Sequence, residues 1–232
     1  MITNDPKILS IAFLGGIIPS LFWLYFWLKE KEGKPEPRGL LAMVFLLGMI
    51  SVMLILPIQK FIQGKIDSYE WQIIFWASTE EIIKYLAALV ILYKNSKLDE
   101  PLDWPIYMIT VALGFAAFEN TLFLIKPLSL GETTTSLLTG QLRFLGSTLL
   151  HTVSSAIIGI SLGLSFYMKK YKKKIYLLGG ILFAITLHSV FNFFIMKDSG
   201  NNFLRVFALL WVMTVVVMLL FEKLKRMSGK IS

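Results

Sequence analysis

Apolar residues run along this chain in long stretches that do not follow the periods of about 3.6 or about 2 residues typical of half-buried helices and strands. A helix of about 20 apolar residues crosses a hydrocarbon core roughly 30 Å thick. Seven stretches reach about that length: Ile8–Leu28, Gly39–Ile62, Tyr69–Tyr93, Pro105–Ile125, Leu142–Met168, Ile175–Met196 and Phe203–Phe221. Because a helix satisfies every backbone polar group internally, we predict an all-α, polytopic transmembrane helical bundle of seven or eight spans.

Composition agrees with a membrane protein and narrows the chemistry. Of the 232 residues, 56% are hydrophobic and 16% are charged, whereas a soluble domain averages about 25% charged residues. The absence of cysteine from the sequence excludes disulfides, thiolate metal sites and a cysteine nucleophile. No repeat or long linker divides the chain, so we expect one integral membrane domain over residues 1–232, with its core motif region at about 69–196.

The distribution of basic residues predicts the orientation of the bundle. One side carries fifteen Lys and Arg residues, in Lys29–Arg38, Lys94–Trp104, Lys169–Lys174 and Lys223–Ser232, and the other side carries six. The positive-inside rule then places the N-terminus outside, the C-terminus in the cytoplasm and the loop Ser129–Thr139 outside. We therefore attribute the net charge of +8 to topology, with the Lys169–Lys174 run contacting anionic lipids at the cytoplasmic face, and we expect no nucleic-acid partner.

Polar residues inside four of the stretches form the candidate functional site. They are Glu80, Glu81 and Lys84 in the third stretch, Glu119 and Asn120 in the fourth, His151 in the fifth, and His188 and Asn192 in the sixth. Ionisable groups at such positions are energetically costly and usually functional. At a rise of about 1.5 Å per residue, the polar residues of all four stretches lie roughly 9–16 Å below the predicted external ends. This shared depth predicts a single site in the outer half of the bilayer.

The same residues resemble the motifs of the PrsW family, a family of bacterial intramembrane proteases. The four motifs are Glu80-Glu81-x-x-Lys84, Phe115-x-x-x-Glu119-Asn120, His151 with Gly159, and His188-x-x-x-Asn192, in the family's order and each on its own stretch. The best-known members act on membrane-anchored anti-sigma factors. The wider superfamily includes the CAAX prenyl endopeptidases and the Abi-type bacteriocin-immunity proteins. The resemblance implies an intramembrane peptidase of the bacterial cytoplasmic membrane that cuts a membrane-anchored protein.

The resemblance also implies a role for each residue. Glu80 would take a proton from the attacking water, and His151 would be the partner of that water. Glu81 would orient the base, and Lys84 would neutralise part of the paired negative charge. His188 and Asn192 would donate hydrogen bonds to the developing oxyanion, and Asn120 would support the site. This chain departs from the pattern of the wider superfamily at two positions. The superfamily has an Arg four residues after the second Glu, whereas here Lys84 follows Glu81 after three residues. The superfamily also has a His where this chain has Glu119.

The residues by themselves leave the role of a metal open. A buried water needs a base within hydrogen-bond reach, and an oxyanion needs preorganised donors, which carboxylate, imidazole and amide groups supply without a metal. Two histidines and a carboxylate also suit a catalytic zinc ion, with Glu119, His151 and His188 as the candidate ligands. The chain has no HExxH sequence, which excludes a zincin-type helix. We therefore expect a glutamate-dependent or a metal-dependent hydrolase.

Other functions and structural roles must be weighed against a peptidase. Mid-membrane Glu, His and Lys residues are also typical of a proton-coupled transporter, although the sequence shows no pair of matching broken helices. A member of the superfamily that binds peptides or lipids without cutting them is a further alternative. For Glu81 and Lys84 the structural alternative is a buried ion pair that only holds the bundle together. For Asn120 and Asn192 it is a hydrogen bond that only joins helices. We expect Arg143 to extend to the external headgroups.

Overall fold

All regular secondary structure of the described residues is helical. The structure, a computed structural model, describes residues 4–31, 34–93, 97–197 and 203–228. The helices are α1 (Pro6–Glu30), α2 (Arg38–Gln63), α3 (Tyr69–Leu92), α4 (Asp103–Ser129), α5 (Thr133–Leu142), α6 (Thr148–Leu164), α7 (Lys170–Lys197) and α8 (Phe203–Ser228). A π-helical turn, Arg143–Ser147, joins α5 to α6 without a break, so the chain forms seven helical segments in these ranges.

Six of these segments are long and apolar enough to cross a membrane, which confirms the predicted all-α membrane bundle. They are α1, α2, α4, the joined α5 and α6, α7 and α8. Helix α3 has a comparable length of 24 residues, but Glu80, Glu81 and Lys84 stand near its middle. Its polarity therefore comes from the same residues that mark the candidate site.

Several helices extend beyond the apolar stretches from which they were predicted. Helix α5 begins at Thr133, inside the predicted loop Ser129–Thr139, and its Thr- and Ser-rich start hid it from a hydropathy pattern. Helix α7 begins at Lys170, so most of the predicted connection Lys169–Lys174 is helical. Lysine is a good helix former, and its charged group can be solvated by water or lipid headgroups. A helix can therefore continue through a lysine-rich segment at the membrane surface.

Helix α4 is the centre of the bundle. Every residue from Pro105 to Ala117 is buried, because α1, α2 and α6 pack around this half of the helix. Glycines allow the closest approach: a Cβ atom on Gly48 would lie 2.1 Å from the carbonyl oxygen of Val111, and one on Gly114 would lie 2.0 Å from that of Phe45. Small residues at helix crossings are the usual means of close packing in membrane bundles. The tight α2–α4 crossing holds the two helices that wall one side of the site.

A buried polar cluster fixes the opposite end of the bundle, which we predict to be cytoplasmic. The Lys31 ammonium pairs with Glu36 and, at 2.8 Å, with Asp103, and the Tyr107 hydroxyl donates to Glu36. Burial alone would lower the pKa of Lys31, but the two carboxylates outweigh it and hold the pKa above its ordinary value. Asp103 also accepts hydrogen bonds from the backbone amides of Asp99 and Glu100. The cluster thus ties the ends of α1, α2 and α4 together.

Candidate active site

The polar residues of four helices meet in one cavity, as their shared depth predicted. Glu80 on α3, Glu119 on α4, His151 on α6 and His188 on α7 all line a cavity of about 1160 Å³. Much of its remaining wall is apolar and aromatic and includes residues of α2, α5 and α8. The lining residues come from the halves of these helices that we predict to be external. The cavity can therefore admit a segment of polypeptide next to ionisable groups inside the bundle.

Glu80 presents a carboxylate oxygen to both histidines. Its Oε1 accepts a hydrogen bond from Gln59 Nε2 at 2.8 Å. Its Oε2 is buried without a hydrogen-bond partner among the described residues, and it lies 3.5 Å from His188 Nε2 and 3.9 Å from His151 Nδ1. A buried acceptor without a partner is energetically costly, so such an atom at a cavity wall indicates a binding or catalytic function. Gln59 lies in the apolar stretch Gly39–Ile62, and no motif of the sequence marks it as part of the site.

Glu81 points away from the cavity, because adjacent residues of a helix project in different directions. Its Oε1 accepts from Lys84 Nζ at 2.5 Å and lies 2.8 Å from His188 Nδ1. Its Oε2 accepts from the Ser155 hydroxyl at 2.9 Å. The lysine shares its helix face with Glu80 by sequence spacing, yet it pairs with Glu81. The three helices α3, α6 and α7 are thus joined by one fully buried carboxylate.

His151 is held from both sides of its ring. Lys84 Nζ lies 3.1 Å from Nδ1, and Glu119 Oε2 lies 3.1 Å from Nε2. An ammonium group can only donate, so Nδ1 is the acceptor and the proton on Nε2 is donated to Glu119. Against His188 the ring packs edge to face, with ring centroids 5.0 Å apart. Both histidine rings therefore have fixed orientations.

Arg143 lies inside the bundle, which corrects the expectation that it extends to the headgroups. Its guanidinium pairs with Glu119, donates from Nε to Asn120 Oδ1 at 2.6 Å and packs 3.8 Å over the ring of Phe123. Only 16% of the side chain is exposed. A carboxylate that is already inside the protein attracts the cation more strongly than the headgroups do, because the surrounding dielectric is low. The sequence contained an indication of this buried position, since Arg143 lies within the predicted apolar stretch Leu142–Met168.

The two asparagines occupy different environments. Asn120 is buried outside the cavity lining, where its Nδ2 donates to Thr148 Oγ1 at 2.8 Å and joins α4 to α6. Asn192 is half-buried and lines the cavity one helical turn after His188. Asn120 thus matches the structural alternative weighed for it, whereas Asn192 lies where a substrate can contact it.

Three of these residues form a group that could hold a metal ion. Glu80, His151 and His188 each offer one ligand atom, and these atoms lie within 4.8 Å of one another. Two imidazole nitrogens and a carboxylate oxygen are a donor set typical of catalytic zinc, and the unpartnered Oε2 of Glu80 fits that role. The group differs from the expected ligand set in one member, because Glu80 replaces Glu119. The Oε2 atom of Glu119 is already bound by Arg143 and His151.

Comparison with known proteins identifies the family. The model of the family described as "PrsW family intramembrane metalloprotease" matches residues 36–221. A protein named Protease PrsW from Oceanobacillus iheyensis is 31% identical over 206 residues, covering 86% of this chain and 91% of that protein. Proteins of the same name from Geobacillus kaustophilus and Shouchella clausii are 29% and 28% identical and cover 84% and 93% of this chain, and 85% and 96% of their own lengths. No solved structure matches the chain significantly.

The match is wider than the motifs that first suggested it, because it includes α2 and most of α8 as well as α3 to α7. Helix α2 contributes Gln59 to the site, and α8 contributes Phe207 to the cavity wall. The six apolar spans agree with a protein that acts within the membrane. The chain therefore belongs to the PrsW family, and it is an integral membrane protein that acts as an intramembrane peptidase.

Proposed function

We propose that this peptidase uses Glu80 as the general base that activates water for attack on a peptide bond of a membrane-anchored protein. The observation that carries the proposal is the buried, unpartnered Oε2 of Glu80, which faces both histidine rings across the cavity. A base needs a free acceptor atom within hydrogen-bond reach of the water, and this oxygen meets that requirement. Gln59 holds the other oxygen of the carboxylate and so limits its rotation.

His151 would position the attacking water together with Glu80. Its Nδ1 lies on the Glu80 side of the ring, and Glu119 fixes the ring through Nε2. Lys84, which contacts the same Nδ1, supplies positive charge that offsets the paired carboxylates. Displacement of the ammonium from Nδ1 would be part of substrate or water binding.

His188 and Asn192 would stabilise the oxyanion of the tetrahedral intermediate. Glu81 accepts a hydrogen bond from His188 Nδ1, so Nε2 is directed at the cavity. In the Nδ1–H tautomer Nε2 is an acceptor, so donation from His188 to the oxyanion would require that Nε2 also carries a proton. The amide of Asn192 donates in every protonation state, and it lies on the same helix face. Hydrogen-bond donors that are preorganised around the developing negative charge usually contribute a large part of the rate enhancement of an enzyme.

A metal-dependent reaction is the second candidate, favoured by the description of the family and by the donor set of Glu80, His151 and His188. These three residues would hold a zinc ion. Zinc at this position would supply Lewis-acid polarisation of the scissile carbonyl. Glu81 and Glu119 would then each fix the ring of one histidine ligand, as carboxylates commonly do behind zinc-bound histidines.

The excess of Lys and Arg residues on one side of the bundle supports an orientation of the protein in the membrane and a position for the cut in the substrate. With the N-terminus outside, the cavity opens from the external halves of the helices, so the cut would fall near the external end of the substrate's span.

The substrate would be a membrane-anchored protein such as an anti-sigma factor. The Lys169–Lys174 run would contact anionic lipids at the cytoplasmic face. Residues 1–232 would form one membrane domain, with the catalytic groups at about 69–196.

Reconstitution of the purified protein with a panel of single-span membrane substrates tests the proposal, with the cut ends identified by mass spectrometry. Glu80→Gln keeps the size of the side chain but cannot take up the proton of water, and we expect the rate to fall about a hundred- to ten-thousand-fold. Arg226→Ala, on an exposed face of α8, is the control that should cut at the wild-type rate. Cleavage by Glu80→Gln at the wild-type rate would show that Glu80 is not the general base. Solute uptake driven by a pH gradient, with no span cut, would favour a transporter.

A further inference from the structure

A second charged pair, Arg143 with Glu119, lies in the cavity wall beside the groups to which we assign catalysis. The Arg143 guanidinium reaches two adjacent residues of α4: Nη2 pairs with Glu119, and Nε donates to Asn120 at 2.6 Å. Nη2 also donates to the Ser147 hydroxyl at 3.0 Å, one turn along its own helix. A planar guanidinium can make these contacts together because its donors form a rigid fork. The arginine therefore has a single well-defined position.

The contact that Arg143 makes with Glu119 continues to His151. One oxygen, Glu119 Oε2, accepts from the guanidinium and from His151 Nε2, which lies 3.1 Å away. The Ser147 hydroxyl lies 3.3 Å from the same oxygen. Removal of Arg143 would leave the carboxylate free to turn into the cavity, which it already lines. The ring of His151 would then lose the acceptor that fixes its Nε2 side.

The π-helical turn provides the local structure for this arrangement. Arg143, Ser147 and His151 are spaced by four residues, and in a regular α-helix such a spacing drifts around the helix by about 40° at each step. A π-helical turn contains more residues, so across Arg143–Ser147 a four-residue step stops short of a full turn and offsets the drift. The three side chains thus all reach Glu119 on α4. Single π-helical turns are rare and are frequent at functional sites.

We propose that Arg143 is a positioning residue for peptide hydrolysis: it fixes the Glu119 carboxylate, and the carboxylate fixes His151 as the Nε2–H tautomer with Nδ1 toward Glu80. The proposal rests on the proposed function, because it presupposes that His151 takes part in the reaction. Among the described residues the polar contacts of Arg143 are with Glu119, Asn120 and Ser147, and of these Glu119 contacts His151, so the effect of Arg143 on His151 passes through that carboxylate. The Asn120 contact supports the same geometry, because Asn120 is in turn held by Thr148.

Kinetics of three variants test the proposal in the reconstituted assay. Loss of a group that orients a catalytic histidine from behind typically costs about 10- to 100-fold, so we expect that loss in kcat for Arg143→Ala, with KM changed less than about two-fold. Arg143→Lys keeps the charge but not the fork and should recover part of the loss. Because Arg143 acts through Glu119, the double variant Arg143→Ala/Glu119→Gln should be no slower than Glu119→Gln alone.

A spectroscopic measurement reads the position of His151 without any turnover. The chain has two histidines, so ¹⁵N-histidine labelling gives signals from only two rings. The hydrogen bonds predict opposite tautomers in the wild type, Nε2–H for His151 and Nδ1–H for His188. Arg143→Ala should shift or broaden the His151 signals and leave those of His188 in place. A His188→Asn variant assigns the signals, and thermal unfolding shows whether each variant is folded.

The outcomes separate this proposal from the function on which it rests. Activity of Glu80→Gln at the wild-type rate would overturn the function. If Glu80→Gln is inactive while folded Arg143→Ala keeps the wild-type kcat, only the role of Arg143 is wrong. A raised KM with unchanged kcat would make Arg143 a substrate contact instead. Multiplied losses in the double variant, or unchanged His151 signals in Arg143→Ala, would also contradict action through Glu119.

Discussion

His188 Nδ1 lies 2.8 Å from Glu81 Oε1, and this contact turns the other ring nitrogen of the histidine toward Glu80. Glu81 is completely buried and bonded on both oxygens, whereas one oxygen of the neighbouring Glu80 faces the cavity and has no hydrogen-bond partner in the part of the chain that the structure describes. The two consecutive glutamates therefore have different environments. We assign the chemistry to Glu80 and the orientation of His188 to Glu81.

Glu81→Gln tests that assignment. The neutral side chain leaves Lys84 as a buried charge without its partner, which typically costs about 3–5 kcal/mol of stability. We expect a lower unfolding temperature and a peptidase rate lower by about 10- to 100-fold, as for other residues that orient a catalytic histidine.

The double variant Glu81→Gln/Lys84→Met separates stability from activity. Replacing both members of a buried ion pair by neutral residues is often neutral for stability, so the unfolding temperature should recover most of its loss. The rate should stay low, because the carboxylate that orients His188 and the ammonium group that contacts His151 are both missing. Recovery of the rate together with the stability would show that Glu81 has only a structural role.

Metal content distinguishes the two mechanisms. If the reaction depends on a metal, elemental analysis of the purified protein should find about one zinc ion per chain, as in catalytic sites with three protein ligands. Removal of that zinc with a chelator should then abolish cleavage, and zinc should restore it. Glu80→Gln should lose the metal, and Glu119→Gln should retain it at saturating zinc, because Glu80 belongs to the ligand group and Glu119 does not. Full activity of a zinc-free protein would favour the metal-free reaction with Glu80 as the base.

Reporter fusions test the orientation. A reporter after Ser232 should be cytoplasmic, and one inserted at Gly131 should be external. Gly131 is exposed between α4 and α5, has φ of 70° and has open space around its Cα, so an insertion there disturbs little packing. A cytoplasmic signal from the Gly131 insertion would reverse the proposed orientation and move the cavity to the cytoplasmic side.

Paired substitutions test the polar cluster at the opposite end of the bundle. Lys31→Met leaves the carboxylates of Glu36 and Asp103 buried without their cation, and we expect a loss of about 3–5 kcal/mol in the free energy of unfolding. Lys34→Met is the matched control, because the Lys34–Asp99 pair is about half exposed and solvent screens the attraction, so its loss should change the free energy of unfolding little. Unfolding monitored in detergent compares the two variants. Equal effects would show that the buried cluster does not hold the helix ends together.

The sequence by itself determined the helical membrane fold and the residues that gather at the site. Long apolar runs allow few structures other than helices, because an unpaired backbone polar group is too costly in lipid. Ionisable side chains are also costly in lipid, which made Glu80, Glu119, His151 and His188 conspicuous in the sequence. The rise per residue of a helix then placed all four at a similar depth in the membrane. The family was also visible in the spacing of these residues, and the match over residues 36–221 confirmed it.

The tertiary structure alone decided which atoms meet. A sequence gives the depth of a residue in a helix but not the rotation of that helix against its neighbours, so it did not show that Glu80, rather than Glu119, lies with both histidines in the group that could hold a metal. Arg143 was placed wrongly for a related reason. Its preference for headgroups was outweighed by a carboxylate on another helix, and the π-helical turn that directs it there leaves no mark in the hydropathy pattern. Long-range electrostatic contacts across helices, rather than local preferences, set the geometry of this site.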